Sequence, residues 1–159
     1  MNKIDFLRDT RTKQQYFDDI SNTQEIEDKI ISRFMNMQGI ACEPASPRET
    51  LTNIEKVYVS SDYKCDKFGL IEVKFHYRYQ EELGFKKYQL LKYKLKNCSI
   101  LLVNNWNNSP YFALFEGELL KPQWLLDNCE PSSDSLQSKM GGKLDISIPF
   151  YKLTWYQLL

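Results

Sequence analysis

Leu70-Ile71-Glu72-Val73-Lys74-Phe75-His76-Tyr77-Arg78-Tyr79 alternates without a break from Ile71 onward. Ile71, Val73, Phe75, Tyr77 and Tyr79 form an apolar set, and Glu72, Lys74, His76 and Arg78 a polar one. Successive side chains of a strand point to opposite faces, so the pattern predicts a strand with one face in a core. Just upstream, Val57-Tyr58-Val59-Ser60-Ser61-Asp62 reads as another strand, and Lys64 to Gly69 as a tight connection. Paired antiparallel, the two strands can stand Asp62 beside Glu72.

Working outward, residues 86–96 return to helical spacing through Tyr88, Leu91 and Leu95. Ser99 to Val103 is apolar enough for a buried strand, an Asn-rich turn follows at 104–109, and Tyr111 to Phe115 reads as another strand. A Pro/Ser/Gly-rich loop spans about 129–142, and Ile146 to Leu153 reads as a closing strand. On the upstream side, Ser21-Asn22-Thr23 offers an N-cap to a helix from Gln24 to Met37. Ile26, Ile30, Phe34 and Met37 recur at helical spacing with Ile31 beside them, and Gly39 ends the run. A strand precedes or includes Cys42, and residues 48–55 suit a short turn or helix. Residues 1–20 are expected as an N-terminal arm or short helix, and 21–159 as one domain. Helix, strands, helix, strands is the order of an α/β fold: a mixed β-sheet flanked by helices.

Composition bounds the function. The 159 residues suffice for one core, and 42% hydrophobic against 26% charged residues is a globular balance. Formal net charge is zero, which counts mildly against a nucleic-acid partner, although basic residues outnumber acids across 78–96. Cys42, Cys65, Cys98 and Cys129 make no CxxC pair, and the chain has one histidine, so a zinc site is not expected. The cysteines carry no signal of a disulfide framework, and four free thiols are the expectation. With no charged-then-apolar leader and no apolar run of spanning length, the expected location is cytoplasmic, with no membrane partner.

Three acids bear on chemistry. Glu72 and Lys74 share one strand face, although an acid and a lysine two apart also suit a plain solvent face. Asp62 can stand beside Glu72, where two carboxylates repel unless a cation lies between them; it could equally just end a strand. Asp66, in the connection, suits turn chemistry better than ligation. On the helical wheel Glu27 falls inside the sector of Ile26, Ile30, Ile31, Phe34 and Met37, whereas Glu25 and Asp28 fall outside. An acid there suits either a metal site or the helix's own first turn.

This pattern of helix acid, strand Asp, hairpin and Glu-x-Lys resembles the PD-(D/E)XK nuclease superfamily, over about Glu25 to Val103. The helix Glu27 to Phe34, running on to Gly39-Ile40, resembles the opening helix of archaeal Holliday-junction resolvases. Asp62 through Gly69 to Glu72-Val73-Lys74 is similar in spacing to phage junction-resolving endonucleases. The resemblance implies a restriction-endonuclease-like sheet and an Mg²⁺- or Mn²⁺-dependent endonuclease acting on DNA, including branched or junction DNA. It implies that Asp62, Glu72, the Val73 carbonyl and Glu27 hold the metal. Lys74 would act on the attacking water or on transition-state charge, and Gln89 would lie near the site on the following helix. Arg78, Lys86 and Lys87 would contact the phosphate backbone. Junction resolvases are usually dimers, so a homodimer is one expected state. Ser61 stands where the motif's name has proline, and no histidine precedes the site as in viral cap-snatching relatives. His76 is outside the pattern and reads as a surface or substrate contact. The alternative is a catalytically silent nuclease-fold module that binds nucleic acid or a protein partner.

Overall fold

A computed structural model describes residues 13–45, 63–86, 90, 93–116, 119, 121–131 and 146–159. The expected strand at 57–62 and the turn or helix at 48–55 lie outside these residues. Helix α1 (Lys13–Gln38) runs 26 residues and passes through Ser21-Asn22-Thr23 without interruption. The expected cap at that point is therefore corrected. Ser, Asn and Thr each cost at most about 0.7 kcal/mol within a helix, less than nucleating a new one. The helix stops where expected. Gly39 takes a φ of +63°, and the Ile40 N–H donates to the Met35 carbonyl at 3.2 Å, closing the left-handed glycine terminus.

The strands are β1 (Cys42–Pro44), β2 (Tyr63–Cys65), β3 (Gly69–Phe75), β4 (Glu82–Phe85), β5 (Ser99–Asn104), β6 (Tyr111–Phe115), β7 (Glu130–Pro131), β8 (Ile146–Pro149) and β9 (Tyr156–Gln157). Six form a mixed sheet in the order β1-β2-β3-β5-β6-β9, and three a small sheet in the order β4-β8-β7. Among the described strands of the large sheet only β3 and β5 pair parallel, with Val73 opposite Leu101 and Lys74 opposite Leu102. A parallel pair needs a crossover, and the chain between them supplies β4 and helical turns at 90 and 93–95.

Two cores lie on opposite faces of the large sheet. Ile30, Ile31 and Phe34 of α1 pack with Tyr63, Ile71, Val73, Leu101, Val103 and Phe112 on one face. Leu83, Phe85, Leu90, Tyr93 and Ile148 pack with Ile100, Leu102 and Phe115 on the other. All six residues of β5 are buried, as a central strand covered on both faces requires. A short helix, α2 (Pro122–Asn128), starts on proline and adds Trp124 and Leu125 to the second core. The mixed α/β sheet flanked by helices is thus present, and no helix among the described residues is long and apolar enough to cross a membrane.

Several expectations change. The strand expected over 70–79 ends at Phe75, and Tyr77 and Tyr79 are each 47% exposed. Among the described residues of the helix expected over 86–96, Leu90 and Tyr93 are buried, while Leu95 is 88% exposed, so the apolar phase is shifted. Tyr88 and Leu91 lie outside the described residues. Met37, expected on the buried stripe of α1, is exposed and accepts the Leu159 N–H on its sulfur at 3.4 Å. The closing strand stops at Pro149 and becomes a 3-10 turn, Phe150–Lys152. Within the expected 129–142 loop, Glu130 and Pro131 pair with β8.

The cysteine expectation is corrected as well: Cys42 and Cys65, register partners on β1 and β2, are joined by a disulfide. Cys98 and Cys129 take no part in a disulfide. The bond closes a separation of 23 residues, for which chain entropy gives a stabilisation of about 3 kcal/mol. Reduction, or Cys42→Ser, is expected to lower stability by about that amount in urea titrations. Unchanged midpoints with and without reductant would show that the bridge contributes nothing.

Candidate functional site

The polar face of β3 is where the sequence and the packing disagree. Leu70 packs into the second core, so the face it shares with Glu72 and Lys74 looks away from α1. Instead of opening to solvent, Glu72 and Lys74 are half-buried beside Tyr93, a buried member of that core. The Tyr93 hydroxyl donates to Glu72 Oε1 at 3.1 Å. Lys74 Nζ lies 5.7 Å from the centroid of the same ring, within cation–π range. One aromatic side chain therefore meets both members of the Glu-x-Lys pair.

His76 follows at the end of the strand, where its N–H donates to the Val103 carbonyl at 2.9 Å and its carbonyl accepts the Trp106 N–H at 2.9 Å. Burial, and secondly the nearby Lys74 ammonium, hold its imidazole below the ordinary pKa of 6.5. Since the native state prefers the neutral ring, its contribution to stability is present above pH 6.5 and lost as pH falls through the lowered native value.

The other predicted residues distribute as follows. Glu27 is half-buried and Glu25 and Asp28 are exposed, as the wheel requires. Yet α1 covers the Ile71/Val73 face, whereas Glu72 and Lys74 occupy the other, so Glu27 stands on the opposite layer. The wheel passed over one helix acid that is hydrogen-bonded to the hairpin: Asp28 Oδ1 accepts the buried Tyr63 hydroxyl at 2.6 Å. Tyr93 was also passed over, because helical spacing was phased on Tyr88, Leu91 and Leu95. Its signal lay in the Leu90–Tyr93 spacing of i,i+3. Arg78 is exposed and Lys86 half-buried. Asp62, Lys87 and Gln89 lie outside the described residues.

Glu72 is an oxygen donor of the kind a hard cation takes. In number the set is short, since no group of three His, Cys, Asp or Glu side chains gathers among the described residues. Of the two cysteines outside the disulfide, Cys98 is buried, and burial pushes the Cys129 thiol up to about 11. No protein-family model, no curated protein and no solved structure matches the chain.

As the one histidine, His76 gives an unambiguous NMR titration. Its midpoint is expected below 6.5 and is expected to move part of the way back up in Lys74→Met, with burial retaining the rest. A midpoint at or above 6.5 in wild type would contradict the burial and the lysine neighbour alike.

Proposed function

We propose that this chain is a metal-dependent nuclease that hydrolyses phosphodiester bonds of DNA, including branched DNA, on a restriction-endonuclease-like sheet. The observation that carries the reading is the Glu72–Lys74 pair, half-buried on one face of β3 and joined through Tyr93. The β2–β3 register supports it: Tyr63, the residue after Asp62, pairs with Ile71, the residue before Glu72. The order of helix, hairpin, Glu-x-Lys strand and following helical turns agrees with the resemblance.

In this reading Asp62, Glu72 and the Val73 carbonyl would hold Mg²⁺ or Mn²⁺, and Glu27, on the layer across the sheet, is left out of the set. When bound, the ion polarises the scissile phosphate and acidifies the attacking water. The Lys74 ammonium stabilises the charge that builds on the phosphoryl oxygens. The Tyr93 hydroxyl fixes the Glu72 carboxylate so that its other oxygen keeps one direction. Arg78, Lys86 and Lys87 would take phosphates and Gln89 would sit beside the site. A homodimer and a cytoplasmic location belong to the same proposal. In a reducing cytosol the Cys42–Cys65 pair would be opened to thiols.

A second reading, a silent module of this fold that binds nucleic acid or a protein, is favoured by one observation. The Glu72 carboxylate is already hydrogen-bonded by Tyr93, and described ligands number fewer than three.

The test is a cleavage panel of supercoiled plasmid, linear duplex, single strand, four-way junction and RNA, with and without Mn²⁺. Wild type is expected to cut, and Asp62→Asn and Lys74→Ala to lose at least about a hundred-fold in rate, the scale of one lost electrostatic stabiliser. Metal at a hundred-fold excess over Kd is expected to stabilise wild type and Lys74→Ala by about 2.7 kcal/mol, and Asp62→Asn by little. Cleavage by Asp62→Asn at the wild-type rate would place the chemistry elsewhere. No cleavage and no metal response would leave the silent module.

A further inference from the structure

The chain leaves β3 by a segment whose backbone is tied down while its large side chains are not. The His76 N–H donates to the Val103 carbonyl, and the His76 and Tyr77 carbonyls accept the Trp106 and Asn107 N–H groups at 2.9 and 3.0 Å. Asn104, fully buried, then acts as a clamp: its Oδ1 accepts the Gln80 N–H at 2.9 Å and its Nδ2 donates to the Gln80 carbonyl at 2.8 Å. The Glu81 carbonyl accepts the Phe150 N–H at 2.7 Å. A buried amide spent on one backbone position is a strong device for holding a loop in one shape.

What that rigid segment presents is Tyr77-Arg78-Tyr79, all exposed, with each tyrosine about half so. Tyr77 packs its ring edge-on against Phe75 at 5.2 Å, and Tyr79 against Phe150 at 5.3 Å, so each ring is propped from one side. Phe150 opens the turn that carries Tyr151, 75% exposed, and Lys152, whose ammonium lies 5.6 Å from the Tyr151 ring. From Lys74 to Tyr79 the chain carries two cations and no acid. Glu81 is the exposed acid at the segment's far end.

We infer that this surface binds single-stranded nucleic acid, with unpaired bases stacking on Tyr77 and Tyr79 and phosphates meeting Arg78 and Lys152. Propped, half-exposed rings interleaved with cations are the chemistry that recognises bases with a free π-face and a polyanionic backbone. A duplex keeps its bases stacked on one another and offers only the phosphates. The inference deepens the nuclease reading, since Arg78 lies four residues from Lys74, and it names unpaired segments as the preferred substrate. Binding in chelator needs no metal, so the two ideas fail separately.

The experiment is fluorescence anisotropy with a labelled oligothymidylate, the same length of single-stranded RNA and a matched duplex, all in EDTA. Wild type is expected to bind both single strands more tightly than duplex. Tyr77→Ala and Tyr79→Ala are each expected to weaken single-strand binding between about five-fold and a hundred-fold, the range of one lost stacking contact. Tyr77→Phe and Tyr79→Phe keep the ring and are expected to bind as wild type. Arg78→Gln is expected to reduce the slope of log K against log salt by about 0.7. All three positions are on the surface, and circular dichroism checks that each variant is folded. Absent single-strand binding, alanine variants that bind as wild type, or duplex bound as tightly as single strand would each overturn the inference, the first in favour of a protein-facing surface. Cleavage without single-strand binding would sink this inference and keep the nuclease. Single-strand binding without cleavage would do the reverse.

Discussion

The parallel pairing of β3 with β5 is the constraint on which everything else rests. With Ile71 opposite Ser99 and Phe75 opposite Val103, β3 is locked at the centre of the large sheet. Its odd-numbered residues, Ile71 and Val73, are then committed to the α1 core, and its even-numbered ones to the Tyr93 side. A slip of one residue would exchange the faces and bury Glu72 and Lys74 under α1. The same pairing demands a crossover, and the crossover brings Leu90 and Tyr93 down onto the sheet. Tyr93 thus reaches Glu72 because β5 runs parallel to β3, not because the two residues are near in sequence.

That geometry decides what kind of site β3 can offer. A Glu-x-Lys pair on an open strand face would be solvated, and its charges would be worth little to one another. Here the two are half-buried and share an aromatic neighbour, one through a hydrogen bond and one through the ring's π-face. Lys74 also acts on His76, so its charge is felt on both sides along the strand. Asp28 performs the matching task on the α1 side by holding the hydroxyl of Tyr63, at the start of β2.

Much of the fold was legible because local periodicity carries it. β5 and β6 read from their apolar runs, α1's buried stripe from Ile30, Ile31 and Phe34, and its end from Gly39. What was not legible depends on partners distant in the chain. Nothing local marks Glu82 to Phe85 as a strand; it becomes one by pairing with Ile146 to Pro149. Tyr77 and Tyr79 continue the alternation of β3, but Asn104 captures Gln80 and turns the segment aside. Cys42 and Cys65 meet only once β1 and β2 are in register. At the site, Glu72 and Lys74 were readable from alternation alone. Tyr93 was not, because phasing the helix on Tyr88, Leu91 and Leu95 is as regular as phasing it on Leu90 and Tyr93. Glu27's partial burial was read correctly from the wheel, but a wheel cannot say which layer of the sheet the helix covers.

The proposal that Glu72 and Lys74 belong to a metal-dependent centre is tested most directly by paramagnetic broadening. Substoichiometric Mn²⁺ added to isotope-labelled protein relaxes the nuclei nearest its binding site first. The expected result is early loss of the amide signals of Glu72, Val73 and Lys74, together with the single His76 imidazole resonance, and the loss should disappear in Asp62→Asn. Broadening confined to exposed acids such as Glu43 or Glu130, with the β3 signals untouched, would contradict a metal centre on this strand.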